Sequence, residues 1–312
     1  MGEKPQSFIV HKPLSTARSP IIFDNPHSGR GLPDHFNYSC DHKKLMAFGD
    51  LHIEKLLRDV PTAGVPVLEA KVHRAVIDLN RQPDEIDPSE VKGGWRAPSH
   101  KTKYTQDGFG LVPRRLGVPH RMTPIFNEAS RPDASEIKRR LNDYYAPYHN
   151  ALADLMDKAI DNHGVAIHMD IHSYRRRMGK NGMMPDFIIG NLHGQSCDPA
   201  ITDFVADFFC KEGMSVAFNN PFKGAAIVSI HGTPEEQRHS LQIEIARDLY
   251  MNMETLEFDP AKGRKIQGLM TKLATELNRF GLRYAARLNR SSSPNTSPQA
   301  STRAASNSRK PT

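Results

Sequence analysis

Short apolar runs bounded by turn residues recur along the chain at 19–23, 66–70, 165–171, 186–189, 214–218 and 241–245, each with the length of a partly buried strand. Between them the apolar spacing changes to a helical period. The stretch 42–59 carries Leu45, Met46, Leu51, Leu56 and Leu57. The stretch 135–162 carries Ile137, Leu141, Tyr144, Leu152, Leu155, Met156 and Ile160, and predicts one long helix or a pair broken at Pro147. Two further helices are expected at 199–210 and 260–280. Strands separated by helices predict an α/β fold, a three-layer sandwich around a mixed, mainly parallel sheet. In such folds ligands collect at the carboxyl ends of the strands.

One strand carries more than packing information. In Ala166-Ile167-His168-Met169-Asp170-Ile171-His172-Ser173-Tyr174, apolar residues alternate with groups that bind metals. Alternate side chains of a strand share a face, so His168, Asp170 and His172 project together. A single strand histidine is more often satisfied by core hydrogen bonds, but three such groups in register point to a cleft.

Composition narrows the class. A chain of 312 residues supports one large domain with a core that needs neither disulfides nor a structural metal. Cys40, Cys197 and Cys210 are odd in number and widely spaced, which fits a reducing compartment. The first residues lack the apolar run of an export signal, and no segment has the length of a membrane span. A cytoplasmic protein is expected. The net charge of +7 invites a nucleic-acid reading, yet four of those charges lie in 290–312, a Ser/Thr/Pro/Asn/Ala-rich stretch with no acidic residue. The remaining body carries only +3, so nucleic acid is not the expected partner. We therefore expect an N-terminal extension at 1–17, a single catalytic domain at 18–285 and a disordered basic tail at 286–312.

Four other polar segments fall near expected strand ends. Asp24-Asn25-Pro26-His27-Ser28-Gly29 turns sharply and presents His27. Asp50 and Glu54 lie one helical turn apart, a spacing that serves a solvated face as readily as a metal. Asp78-Leu79-Asn80-Arg81 places a carboxylate, an amide and a guanidinium within four positions, and an arginine fork matches a carboxylate. Glu244 interrupts the apolar run 241–245, where a carboxylate needs either an ion partner, such as Arg247, or a catalytic reason.

Taken together, Pro26-His27-Ser28-Gly29, Val76-Ile77-Asp78-Leu79-Asn80-Arg81, Asp170-x-His172-Ser173, Phe222-Lys223-Gly224 and Leu241-Gln242-Ile243-Glu244 resemble the N-formylglutamate amidohydrolase family, over about residues 18–285. The set also looks like the site of zinc carboxypeptidase-type hydrolases, and implies their phosphorylase/hydrolase-like fold. The resemblance implies one zinc ion held by His27, His172 and a carboxylate. Carboxypeptidases carry a glutamate three residues after the first histidine, where this chain has Arg30, so the carboxylate is expected to be Asp50, with Glu54 and Asp170 as alternatives. It further implies Glu244 as general base and Asp78 holding the free nitrogen of His27, with Asp170 in a supporting position. Asn80 and Arg81 would bind the α-carboxylate of a small anionic N-acyl amino acid. A second carboxylate would fall to Arg74, Arg96, Arg175, Arg176 or Lys223. The implied reaction is hydrolysis of N-formyl-L-glutamate, a step of histidine degradation. The competing readings are a carboxypeptidase-like metallopeptidase and a non-catalytic basic module that binds polyanions.

Overall fold

The computed structural model describes residues 6–14, 18–34, 36–118, 121–179 and 182–291. Its eleven strands are β1 (Phe8–His11), β2 (Ile21–Asn25), β3 (Val67–Ala70), β4 (Arg115–Val118), β5 (Arg121–Pro124), β6 (Ala166–Tyr174), β7 (Met178–Gly179), β8 (Gly182–Met183), β9 (Phe187–Gly190), β10 (Val216–Phe218) and β11 (Arg238–Ala246). Seven of them form the central sheet in the order β1-β3-β2-β6-β11-β9-β10. The middle of that sheet, β3 to β11, is parallel, whereas β1 and β9 each pair antiparallel with a neighbour. The sheet is thus mixed and mainly parallel, as expected.

The α-helices are α1 (His42–Met46), α2 (Ile53–Leu56), α3 (Lys103–Gln106), α4 (Ala134–Arg140), α5 (Ala146–His163), α6 (Pro199–Lys211), α7 (Ala226–His231) and α8 (Pro260–Ser291). They cover both faces of the sheet. On one face Phe23, Met169, Ile171 and Ile243 pack with Val205 and Phe209 of α6 and Met270 and Leu273 of α8. On the other, Ile22, Leu68 and Ala166 pack with Tyr148, Leu152 and Met156 of α5. Each layer buries the apolar stripe of an amphipathic helix, which supplies most of the driving force for the fold.

Several elements differ from the sequence reading. The expected helix at 42–59 is two short helices separated by a turn at 47–52, in which His52 adopts a left-handed φ of 68°. The turn docks on the first polar loop, with the Asp50 N–H donating to the His27 carbonyl at 2.8 Å. The segment 135–162 is not broken at Pro147. A π-helical turn at Leu141–Tyr145 joins α4 to α5 and places Pro147 in the first turn of α5, where its missing N–H costs little. β6 and β11 are longer than expected, whereas β10 is shorter at its start. β1 lies inside the stretch expected to be an extension, because Phe8, Ile9 and Val10 complete the sheet edge beside β3. α8 runs to Ser291, beyond its expected end at 280 and past the limit at 285, because its amphipathic stripe continues through Leu277 and Ala285. The rest of the expected tail, 292–312, lies outside the described residues. Among the described residues no helix is long and apolar enough to cross a membrane, and the three cysteines are free.

Candidate active site

Three parallel strands bring their carboxyl ends together and carry the polar groups with them. β6 and β11 run in register, so His168 faces Ser240, Asp170 faces Gln242, and His172 faces Glu244. β2 on the other side aligns Asp24 with Asp170 and then turns at Pro26 to deliver His27. The turn packs tightly. A Cβ on Gly29 would meet the Val72 carbonyl oxygen at 2.3 Å, so only glycine lets this loop lie against the chain after β3.

His27, Asp50 and His172 are buried together, with one potential ligand atom of each lying within 4.8 Å of the others. Behind each imidazole stands another carboxylate. Asp78 Oδ1 lies 2.7 Å from His27 Nε2, and Asp170 Oδ1 lies 2.9 Å from His172 Nε2. The opposite nitrogens face Asp50 Oδ2, His172 Nδ1 at 2.9 Å and His27 Nδ1 at 3.5 Å. His27 Nδ1 is buried without a hydrogen-bond partner. With Nε2 donating to Asp78, that nitrogen presents a lone pair beside a carboxylate oxygen, an arrangement that a bound cation would satisfy. Burial works against the charge on His172, but Asp170 and Asp50 outweigh it and raise the imidazole well above its usual range. Burial likewise opposes ionisation of Asp50, yet the hydrogen bond from His172 holds its carboxyl well below normal. Two imidazole nitrogens and one carboxylate, each imidazole backed by a carboxylate, are a donor set that could hold a metal ion.

Asp50 is itself fixed. Its Oδ1 accepts from Ser173 Oγ at 3.0 Å and from Arg247 Nη2 at 3.1 Å, leaving Oδ2 toward the histidines. Arg247 therefore pairs with Asp50 and not with Glu244, because the chain turns into a 3-10 helix at Arg247–Leu249 as β11 ends. Glu244 Oε1 instead accepts from Gln242 Nε2 at 2.9 Å. Burial, reinforced by Asp50 and Asp170 and opposed by His172 and Arg74, pushes the Glu244 carboxyl up to about 7. Glu54, an alternative ligand in the sequence reading, faces Arg30 at 3.6 Å.

The cluster opens into a cleft of about 160 Å³ walled by Arg74, Arg81, Tyr104, Phe222, Lys223 and Glu244, among others. Arg74 reaches Asp78 Oδ2 at 2.5 Å and lies over the Phe48 ring. Burial pushes the Asp78 carboxyl up, but the Arg74 charge and the hydrogen bond from His27 hold it well below its usual range. Arg81 stacks against Tyr104 and donates Nε and Nη1 to the carbonyls of Phe109 and Asn80. The loop bearing Lys223 lies on β9, where a Cβ at Gly190 would meet Gly224 N at 2.5 Å.

The other residues expected at the site are placed as follows. Asn80 reaches the cleft wall, but its amide is already engaged. Oδ1 accepts from Ile227 N–H, and Nδ2 lies 2.9 Å from His172 Nε2 and donates to Asp170 Oδ2 at 3.3 Å, so much of the amide is committed to the protein itself. Arg96 is exposed and does not line the cleft, since Gly93 and Gly94 carry its loop away with φ of 75° and 82°. Arg175 does not line the cleft either, and Arg176 pairs with Asp186 and Asp248. Ser173, Gln242 and Tyr104 were not singled out as site residues from sequence. For Ser173 and Gln242 the signal was their position beside His172 and Glu244.

Residues 19–251 match the N-formylglutamate amidohydrolase family. The chain belongs to that family. An N-formylglutamate deformylase of Pseudomonas putida is 31% identical over 239 residues, covering 75% of this chain and 82% of that protein. A protein of the same description from Pseudomonas aeruginosa is 30% identical over 239 residues, with 75% and 83% covered. The crystal structure of an N-formylglutamate amidohydrolase from Ralstonia eutropha superposes with a TM-score of 0.81 at 32% identity, covering 91% of this chain and 99% of that one.

Proposed function

We propose that this protein is a cytoplasmic zinc-dependent amidohydrolase that cleaves N-formyl-L-glutamate, or a similar N-acyl amino acid, to formate and L-glutamate, within histidine degradation. The observation that supports it most is the meeting of His27, Asp50 and His172 opposite Glu244, in a cleft walled by Arg74, Arg81 and Lys223. The relatives' descriptions support the substrate class.

His27, Asp50 and His172 would hold the ion. When bound, zinc supplies Lewis acidity, polarising the acyl carbonyl and acidifying the attacking water. Glu244 takes the proton of that water and returns it to the departing amine; a carboxyl near pH 7 suits both directions of transfer. Gln242 fixes one oxygen of Glu244 and leaves the other for the proton. Arg81, with Nη2 free of hydrogen bonds among the described residues, takes the α-carboxylate, and Lys223 or Arg74 takes the side-chain carboxylate.

L-Glutamate release from N-formyl-L-glutamate, N-acetyl-L-glutamate and a peptide ending in glutamate, assayed side by side with zinc analysis, tests the reading. Wild-type protein should carry about one zinc and prefer the formyl substrate. His172→Ala should lose both metal and turnover. A preference for the peptide would instead make the protein a metallopeptidase.

A further inference from the structure

Arg247 makes four hydrogen bonds, and each fixes a different part of the wall around Asp50. Nη1 donates to the Ala47 carbonyl at 3.3 Å and Nη2 to the Gly49 carbonyl at 2.7 Å, so the guanidinium holds the backbone of the turn that carries Asp50. Nη2 also reaches Asp50 Oδ1, and Nε donates to Ser173 Oγ at 3.0 Å, which in turn donates to that same oxygen. One oxygen of Asp50 is thereby held by two donors, while Oδ2 alone faces His27 and His172. The turn has little of its own to hold it, since it lies between helices of five and four residues.

We infer that Arg247 is a positioning residue that sets the denticity of Asp50: by occupying Oδ1 it makes Asp50 a one-oxygen ligand and ties the 47–52 turn to the end of β11. The guanidinium fork suits this role, because it binds carbonyl and carboxylate oxygens on two edges at once, which an ammonium cannot do in one fixed geometry. This inference rests on the reading of His27, Asp50 and His172 as the zinc site.

The test is zinc affinity, measured by competition with a chromogenic chelator, together with melting temperature with and without zinc. Arg247→Met should weaken zinc roughly ten- to a hundredfold, the usual cost of losing a group that orients a ligand. Arg247→Lys should recover only part of the loss. Ser173→Ala, a smaller change that keeps the fold if Arg247→Met does not, should weaken zinc in the same direction. A zinc affinity unchanged in Arg247→Met and Ser173→Ala, with the melting temperature lowered equally in zinc-free and zinc-loaded protein, would make Arg247 a mere brace and overturn the inference. Asp50→Asn separates the two levels of the argument. If that variant binds zinc as the wild type does, the metal reading itself fails, whereas loss in Asp50→Asn with no loss in the Arg247 and Ser173 variants removes only the clamp.

Discussion

The two faces of β6 are equally buried and do opposite work. Ile167, Met169 and Ile171 enter the core shared with α6 and α8, whereas His168, Asp170 and His172 face a stack of polar partners on β2, β11 and the loops. Removing apolar side chains from water stabilises the first face by about 25 cal/mol per Å². The second gains nothing comparable. Its groups are held by pairing, from the Tyr148 hydroxyl on Asp24 through His168 to Ser240. Depth in the sheet therefore does not predict role. What separates the faces is whether a buried side chain finds its compensation in packing or in a specific partner.

Four experiments press on that contrast. Glu244→Gln should lower kcat by about two to four orders of magnitude while zinc content and melting temperature hold, since the amide fits the same space and still reaches Gln242. Hydrolysis near the wild-type rate would sink its role as the base. Met169→Ala, on the other face, should cost about 2–5 kcal/mol of stability by chemical denaturation yet leave kcat of the folded protein intact. If turnover falls in step with stability, the two faces are not separable. Arg81→Ala should raise KM roughly ten- to a hundredfold with little change in kcat, in line with one charged hydrogen bond. An unchanged KM would remove Arg81 from carboxylate binding.

The smallest effect concerns pH. His149 and His231 stack in the polar layer beneath the site, and burial lowers them to about 4 and about 3. Both are neutral when folded, so the stability they contribute is complete above the unfolded value of 6.5 and is lost as pH falls through the range between 6.5 and those lowered values. Urea midpoints should drop between pH 7.5 and pH 5 and should drop less in His149→Gln. A midpoint that is flat over this range would contradict neutral burial of the pair.

Period-two alternation made β6 legible in the sequence, because a strand writes its two faces directly into its residues. The glutamate within the apolar run of β11 was legible for the same reason. What alternation cannot show is register, and the rungs His172 with Glu244 and Asp170 with Gln242 exist only once the strands are paired. The 42–59 segment was misread because Leu51, Leu56 and Leu57 keep a helical spacing although Gly49 and His52 break the helix. Arg247 was linked to Glu244 by proximity in sequence, whereas its partners come from a turn about 200 residues away. Asn80 belonged chemically with a substrate carboxylate, and only the hydrogen bond from Ile227 N–H reveals that its amide is engaged. β1 stayed hidden because four residues of edge strand carry too little pattern.

Because Glu244 faces His172 directly across two parallel strands, the separation of their backbones is set by ladder spacing, about 4.8 Å, and not by any side chain. The sheet acts as a ruler for the pair. Tyr104 of α3 and Lys223 of the 222–225 loop, by contrast, line the cleft and belong to no part of that ladder. A designer could exchange those segments to reshape the cleft while the distance between the Glu244 and His172 backbones stays where the ladder hydrogen bonds put it.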